Sequence, residues 1–175
     1  MANILIIYST TDGHTREICL RLQKVIQHTG NQVTLVDVGD AAANELETYD
    51  KNVIGARIRY GKHSPAIYKF IKENTPRLDS KPNAFFSVNV VARKAEKNSP
   101  DTNPYLKKFL KQITWQPKNL AVFAGKIDYQ RYGFLDRSMI RFIMWMTKGP
   151  TNPNTNIEFT DWNQVEEFGR LVSEM

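Results

Sequence analysis

The chain has 175 residues, 24 Lys plus Arg against 18 Asp plus Glu, a net charge of +6 and a pI near 9.4. With 41% hydrophobic and 24% charged residues, it has the composition of a globular domain large enough to bury a core, which excludes a disordered, fibrous or membrane-spanning chain. Its one cysteine, Cys19, excludes an internal disulfide framework or a Cys-cluster zinc site and fits a reducing compartment. The charge is segregated. Residues 1–50 carry three basic and seven acidic side chains, residues 51–150 carry 20 and six, and residues 151–175 carry one and five. A basic middle of this kind suits an anionic partner, with nucleic acid, acidic lipid and a carboxylate substrate all open. Met1-Ala2-Asn3 runs straight into Ile4–Ile7 without a basic region or cleavage site, so no signal peptide is expected.

In chain order, Ile4–Tyr8, Val33–Val38, Asn52–Ile58, Ala84–Val91 and Leu120–Gly125 read as strands. Between them lie amphipathic stretches beginning at Thr15, Pro65, Pro100 and Thr160. The first places Ile18, Leu22, Val25 and Ile26 on one face and stops at Gly30. Ser64-Pro65 reads as an N-cap followed by proline in the first turn, and Ser99-Pro100 repeats that signature before Tyr105, Leu106, Phe109 and Leu110. Thr160-Asp161-Trp162 opens a last helix with Val165, Phe168, Leu171 and Val172 pointing inward. Strands alternating with helices predict right-handed crossovers and a three-layer α/β sandwich on a five-stranded parallel sheet, order 2-1-3-4-5. No repeat or linker divides the chain, so one domain over 1–175 is expected.

Between the first strand and first helix lies Ser9-Thr10-Thr11-Asp12-Gly13-His14-Thr15. Hydroxyls, a glycine and backbone amides at a helix N-terminus form an anion cradle without lysine. By itself the loop reads equally well as a Ser/Thr-rich cap. It is neither a Walker loop nor the G-x-G-x-x-G fingerprint. Ligands of open α/β sheets sit at the carboxyl ends of strands near the switch point. Ile58-Arg59-Tyr60-Gly61 and Ser87-Val88-Asn89-Val90 therefore join the same site. Tyr60 can pack on a flat ring, Gly61 lets backbone approach it, and Asn89 can pair with polar ring edges. Three converging loops favour an aromatic cofactor that bears a phosphate.

On Ser9–Thr15, Val53–Gly61, Ser87–Lys94 and Thr160-Asp161-Trp162, the chain resembles the flavodoxin superfamily, and more closely the bacterial quinone-dependent protoporphyrinogen IX dehydrogenases. The resemblance runs from Ile4 to the last helix. It implies bound FMN, with its phosphate at Ser9, Thr10, Thr11, Asp12, Gly13, His14 and Thr15, and its ring near Ile58, Tyr60, Gly61, Ser87, Val88 and Asn89. Asp12 departs from the loop of electron-carrier flavodoxins. An acid beside phosphate is unfavourable, so Asp12 is expected to point outward or to cap the helix.

Between Gly125 and Thr160 lie 34 residues, where a simple strand-to-helix loop needs about 2–6. This insertion, about 126–159, is too apolar to be disordered, and Asn156–Phe159 alternates like a short strand that resumes the fifth. Read as a helix, Phe134–Lys148 puts Arg137, Arg141 and Lys148 on one stripe and Leu135, Met139, Phe142, Ile143 and Met146 on the opposite arc, with Trp145 near the stripe's edge. It is too short and too charged to span a bilayer. Two readings stand: an interfacial amphipathic helix, or an extra helix packed on the core with its arginines in water.

The resemblance implies FMN-dependent oxidation of protoporphyrinogen IX with menaquinone or ubiquinone as acceptor, in heme biosynthesis. It also implies a peripheral place on the cytoplasmic face of the bacterial inner membrane, against an anionic surface. Arg59, Arg93, Arg131 and Arg137 are candidates for the substrate propionates, and Arg137 and Arg141 for lipid headgroups. An electron carrier without its own substrate is the alternative. A nucleic-acid module ranks last, since no helix-turn-helix, zinc or RNP-like pattern is present. His14, His28 and His63 have no metal-ligand spacing, Cys19 reads as packing, and the sequence singles out no proton-transfer residue.

Overall fold

A computed structural model of the chain describes residues 1–42 and 45–175. Its elements are β1 (Asn3–Ser9), α1 (His14–His28), β2 (Gln32–Asp37), α2 (Glu45–Thr48), β3 (Lys51–Arg57), α3 (Pro65–Asp79), β4 (Asn83–Asn89), α4 (Pro104–Gln112), β5 (Leu120–Ala124), β6 (Lys126–Asp128), α5 (Phe134–Met146), β7 (Asn156–Glu158) and α6 (Trp162–Glu174). Five strands form one parallel sheet in the order β2-β1-β3-β4-β5. The order reverses at β1, so the loops leaving β1 and β3 open side by side at the carboxyl edge.

Alternate side chains of each strand enter opposite layers. Ile4, Ile6, Val53 and Phe86 meet Ile18, Leu22, Val165 and Phe168 of α1 and α6. Leu5, Ile7, Ile54 and Phe85 meet Ile67, Ile71, Leu106 and Phe109 of α3 and α4. β3 approaches β4 closely enough that a Cβ at Gly55 would lie 2.1 Å from Cζ of Phe86. Only glycine fits beneath that ring.

Several boundaries differ from expectation. Ser99-Pro100 does not start α4. The segment 99–102 is a turn closed by Asn103 N–H to Ser99 O, and the helix begins at the second proline, Pro104, with Asn103 Oδ1 accepting from Leu106 N–H at 3.1 Å. Asn156–Glu158 does not resume the fifth strand. It pairs antiparallel with β6 in a separate two-stranded sheet. Leu171, expected inward, is an exposed residue of α6, while Val165, Phe168 and Val172 are buried. Strand edges shift by one or two residues. Val90 and Val91 in particular belong to a 3-10 turn after β4.

Gly55→Ala should lower stability by about 1–3 kcal/mol, the usual cost of overpacking a core. Urea unfolding followed by far-UV dichroism checks this, and an unchanged midpoint would contradict it.

Candidate functional site

At the end of β1 the loop Ser9–Gly13 turns into α1 through Gly13, whose φ of 91° is left-handed, a conformation that L side chains rarely adopt. Thr10 Oγ1 accepts from Gly13 N–H at 2.9 Å and fixes the turn. Ser9 and Thr15 are buried, and Ser9 Oγ and Thr15 Oγ1 have no hydrogen-bond partner. Leaving two hydroxyls dry at one helix N-terminus is costly unless a polar guest meets them. Thr11 is exposed. His14 contributes backbone to the loop, but its ring turns away, toward Thr160 and Glu17.

Asp12 is half-buried rather than pointing outward, its Oδ1 2.6 Å from Nη1 of Arg57 and accepting from His14 N–H at 3.5 Å at the start of α1. Burial alone would push this carboxyl up. The Arg57 guanidinium outweighs burial through charge and a hydrogen bond, and it holds Asp12 below the usual carboxylate range. Arg57 also lines a cleft of about 430 Å³ with Ser9, Thr10, Arg59 and Lys62. The sequence reading passed over Arg57, which closes a strand rather than opening a loop. The available signal was a cation at the carboxyl end of β3, where β3 pairs with β1.

The segments after β3 and β4 are joined by a buried polar chain. His63 Nδ1–H donates to the Arg57 carbonyl at 3.1 Å, so Nε2 accepts from Ser87 Oγ–H at 3.3 Å. Asn89 Nδ2 donates to Ser87 Oγ at 3.2 Å, and Asn103 Nδ2 donates to Asn89 Oδ1 at 2.9 Å. Burial pushes the His63 imidazole down to about 4. The side chains of Ser87 and Asn89 thus serve the protein's own network, and Val88 packs into the core. Asn89 and Val88 also line a small separate crevice beside Ile58 and Val90. Tyr60, in contrast, is an exposed residue held at φ 52°, a strained conformation for a non-glycine residue.

The insertion lies across this edge. Tyr132, Ile140, Ile143 and Met144 wall a second cleft against Ile58–Gly61 and Val90-Val91. Asp136 of α5 accepts from Nη2 of Arg59 and from the Tyr60 hydroxyl. Arg131 Nη1 donates to the Asp12 carbonyl at 3.2 Å. The helix is inverted relative to a core-packed one. Phe134, Leu135 and Trp145 are 81, 78 and 71% exposed, with Met139, Phe142 and Met146 beside them. Arg137 Nε donates inward to Tyr129 O, and Arg141 Nε to Thr151 O. The core-packed reading therefore fails on its apolar side, since Leu135, Met139, Phe142 and Met146 are exposed, while Arg141 does stay exposed and Arg137 is partly buried. Lys148 lies past the helix end at φ 58°.

Of the five candidate arginines, Arg59 lines both clefts. Arg93 donates to the carbonyls of Val90 and Thr147, and Arg131, Arg137 and Arg141 tie the insertion to backbone as above. They are not gathered into one cluster around Arg59.

A phosphate-type loop, a switch point at β1/β3 and two flanking ring-side segments define a flavodoxin-like protein. A family model described as "Flavodoxin domain" matches residues 5–154. Over 171 residues the chain is 44% identical to the Escherichia coli K12 protein named "Protoporphyrinogen IX dehydrogenase [quinone]", covering 98% of this chain and 94% of that one. A Leishmania major protein of the same name is 43% identical over 94% of this chain and 71% of its own length. The two-electron reduced flavodoxin of Megasphaera elsdenii superposes with a TM-score of 0.61 at 12% identity, covering 98% of this chain and 99% of that one, a likeness of fold. The chain belongs to the flavodoxin-domain family, in the branch that holds the quinone-dependent protoporphyrinogen IX dehydrogenases.

The free His63 of an unfolded chain titrates near 6.5, above its folded value of about 4. The unfolded state therefore binds the extra proton between these limits, and stability falls as pH drops from about 6.5 to about 4, by a total on the order of 3 kcal/mol. Urea midpoints of the wild type should show this decline, and His63→Gln should flatten it. Equal slopes in both would rule His63 out as the cause.

Proposed function

We propose that the chain is an FMN-dependent oxidoreductase that oxidises protoporphyrinogen IX to protoporphyrin IX and delivers the electrons to a membrane quinone, menaquinone or ubiquinone. The residues present fit FMN. Ser9 Oγ and Thr15 Oγ1 are buried donors without partners, the first amides of α1 have no intrahelical acceptor, and Arg57 offsets the Asp12 carboxylate beside them. These groups would hold the phosphate, with Tyr60-Gly61 and Val90-Val91 on either side of the ring. Bound FMN supplies reversible two-electron redox chemistry, and the protein supplies placement and electrostatics.

The observation that carries an enzyme over a bare electron carrier is the closure of the ring-side cleft by α5, through Tyr132, Ile140, Ile143 and Met144. A carrier needs its flavin edge open to partner proteins. A wall of apolar side chains suits a lipophilic substrate and excludes water from it. Arg59 and Lys62, on the neighbouring cleft, are placed to pair with substrate carboxylates, Arg59 bidentately. Asp136 fixes both Arg59 and the Tyr60 ring, so the closing helix also orients the side chains that face the cleft.

The outward face of α5 would rest on lipid, the phase in which the quinone resides. No helix among the described residues is long and apolar enough to cross a membrane, so the contact is interfacial, with Phe134, Leu135 and Trp145 in the headgroup–acyl boundary. The cytoplasmic face of the bacterial inner membrane is the location that goes with this proposal, and it rests on the family resemblance.

Anaerobic addition of protoporphyrinogen IX should bleach the flavin of the purified protein, and menaquinone or ubiquinone should restore its colour. A flavin that only a general reductant bleaches would favour the carrier. For the membrane, Leu135→Glu with Trp145→Glu should weaken co-sedimentation with anionic vesicles about tenfold or more, since each large apolar side chain buried is worth about 1.5–3 kcal/mol. Unchanged sedimentation would remove the interfacial assignment.

A further inference from the structure

The ring of His14 takes no part in the cradle formed by its own loop. It is 5% exposed and packs edge-on against Trp162, with ring centroids 6.2 Å apart. Its surroundings fix its tautomer. Thr160 Oγ1 donates its one proton to the carbonyl of Ala124 at 2.7 Å. The same oxygen must then accept from His14 Nε2–H, also at 2.7 Å. The lone pair of the neutral ring is left on Nδ1. It points at two carboxylates, Glu17 Oε2 at 3.2 Å and Glu158 Oε1 at 4.0 Å, and all three atoms lie within 4.8 Å of one another.

Three electron-rich atoms converging on one point repel unless a cation sits between them. A proton on Nδ1 can bridge to one carboxylate. A divalent ion about 2.0–2.2 Å from each ligand atom reconciles all three, and tetrahedral ligands at that radius lie about 3.3–3.6 Å apart. The 3.2 Å spacing to Glu17 meets this, and the 4.0 Å spacing to Glu158 reaches it by a small inward turn of that exposed side chain. The Nε2–H to Thr160 to Ala124 relay is the outer-shell arrangement that orients a metal-binding histidine. We propose that His14, Glu17 and Glu158 form a site for a divalent transition metal of the zinc class, with the fourth position left to water. One imidazole and two carboxylates suit Zn2+ better than Mg2+, which prefers oxygen ligands in octahedral geometry.

The ligands come from distant parts of the chain. His14 and Glu17 form the first turn of α1, directly after the phosphate-type loop, and Glu158 ends β7 at the root of the insertion. A metal here staples the insertion to the loop, which β6–β7 pairing by itself does not do.

The test is isothermal titration of Zn2+ into the purified, flavin-loaded protein in metal-free, phosphate-free buffer, with thermal unfolding in parallel. The expected result is saturable binding near one equivalent, a rise in Tm with zinc, and none with Mg2+. Glu17→Gln and Glu158→Gln should each weaken binding about tenfold or more, and Thr160→Val, which removes only the outer-shell partner, by about 10–100-fold. Glu166→Gln, a carboxylate paired with Arg21, should leave it unchanged. Absence of saturable binding, or binding insensitive to Glu17→Gln and Glu158→Gln, overturns the proposal. The second result would mean zinc held elsewhere, the flavin phosphate included.

Discussion

Three chain segments meet at the carboxyl edge of the sheet, and what holds two of them in register is a single line of buried hydrogen bonds. It runs from the Arg57 carbonyl through His63, Ser87 and Asn89 to Asn103. Each member is satisfied by the next, so the line works only with a neutral imidazole that donates at Nδ1 and accepts at Nε2. A half-satisfied buried network is worse than an apolar one, so the residues after β3 cannot shift without disturbing those after β4. Asn103 further couples the line to α4, whose first turn it caps. The clefts on the outer side therefore have a back wall held by hydrogen bonds within the protein, with His63 and Asn89 at their edges.

Much of this was legible from periodicity and punctuation. Parallel strands buried on both faces read as short apolar runs, and the Ser/Thr-rich turn after β1 offers an anion cradle that composition alone does not separate from a helix cap. What could not be read depends on partners distant in sequence. His63 looked like a stray histidine, because its role needs Ser87 beneath it. Arg57 was hidden at a strand end, and Asp136 has meaning only once α5 lies over Arg59 and Tyr60. The start of α4 was misplaced because two proline signatures compete there, and the one with a buried asparagine cap prevailed.

The insertion helix is the sharpest departure. Amphipathicity on a wheel gives two faces without saying which one meets water. Here Ile140, Ile143 and Met144 turn in, while Arg137 and the exposed Arg141 donate to backbone carbonyls of the insertion at Tyr129 and Thr151. A small cluster of its own, around Ile127, Tyr129 and Met144, supplies what apolar packing the insertion has. Most of the basic side chains of the middle stay at the surface, and Arg57, Arg59 and Lys62 line one cleft.

This inversion separates two properties that most helices link. Substitutions on the outward residues of α5 alter how strongly the surface is drawn to a nonpolar phase, yet they leave untouched the side chains that close the cleft. Substitutions on the inward residues do the reverse. On the proposed membrane contact, a lineage can adjust its attachment to a bilayer of changed composition without retuning its chemistry, because the two traits occupy opposite sides of one short helix.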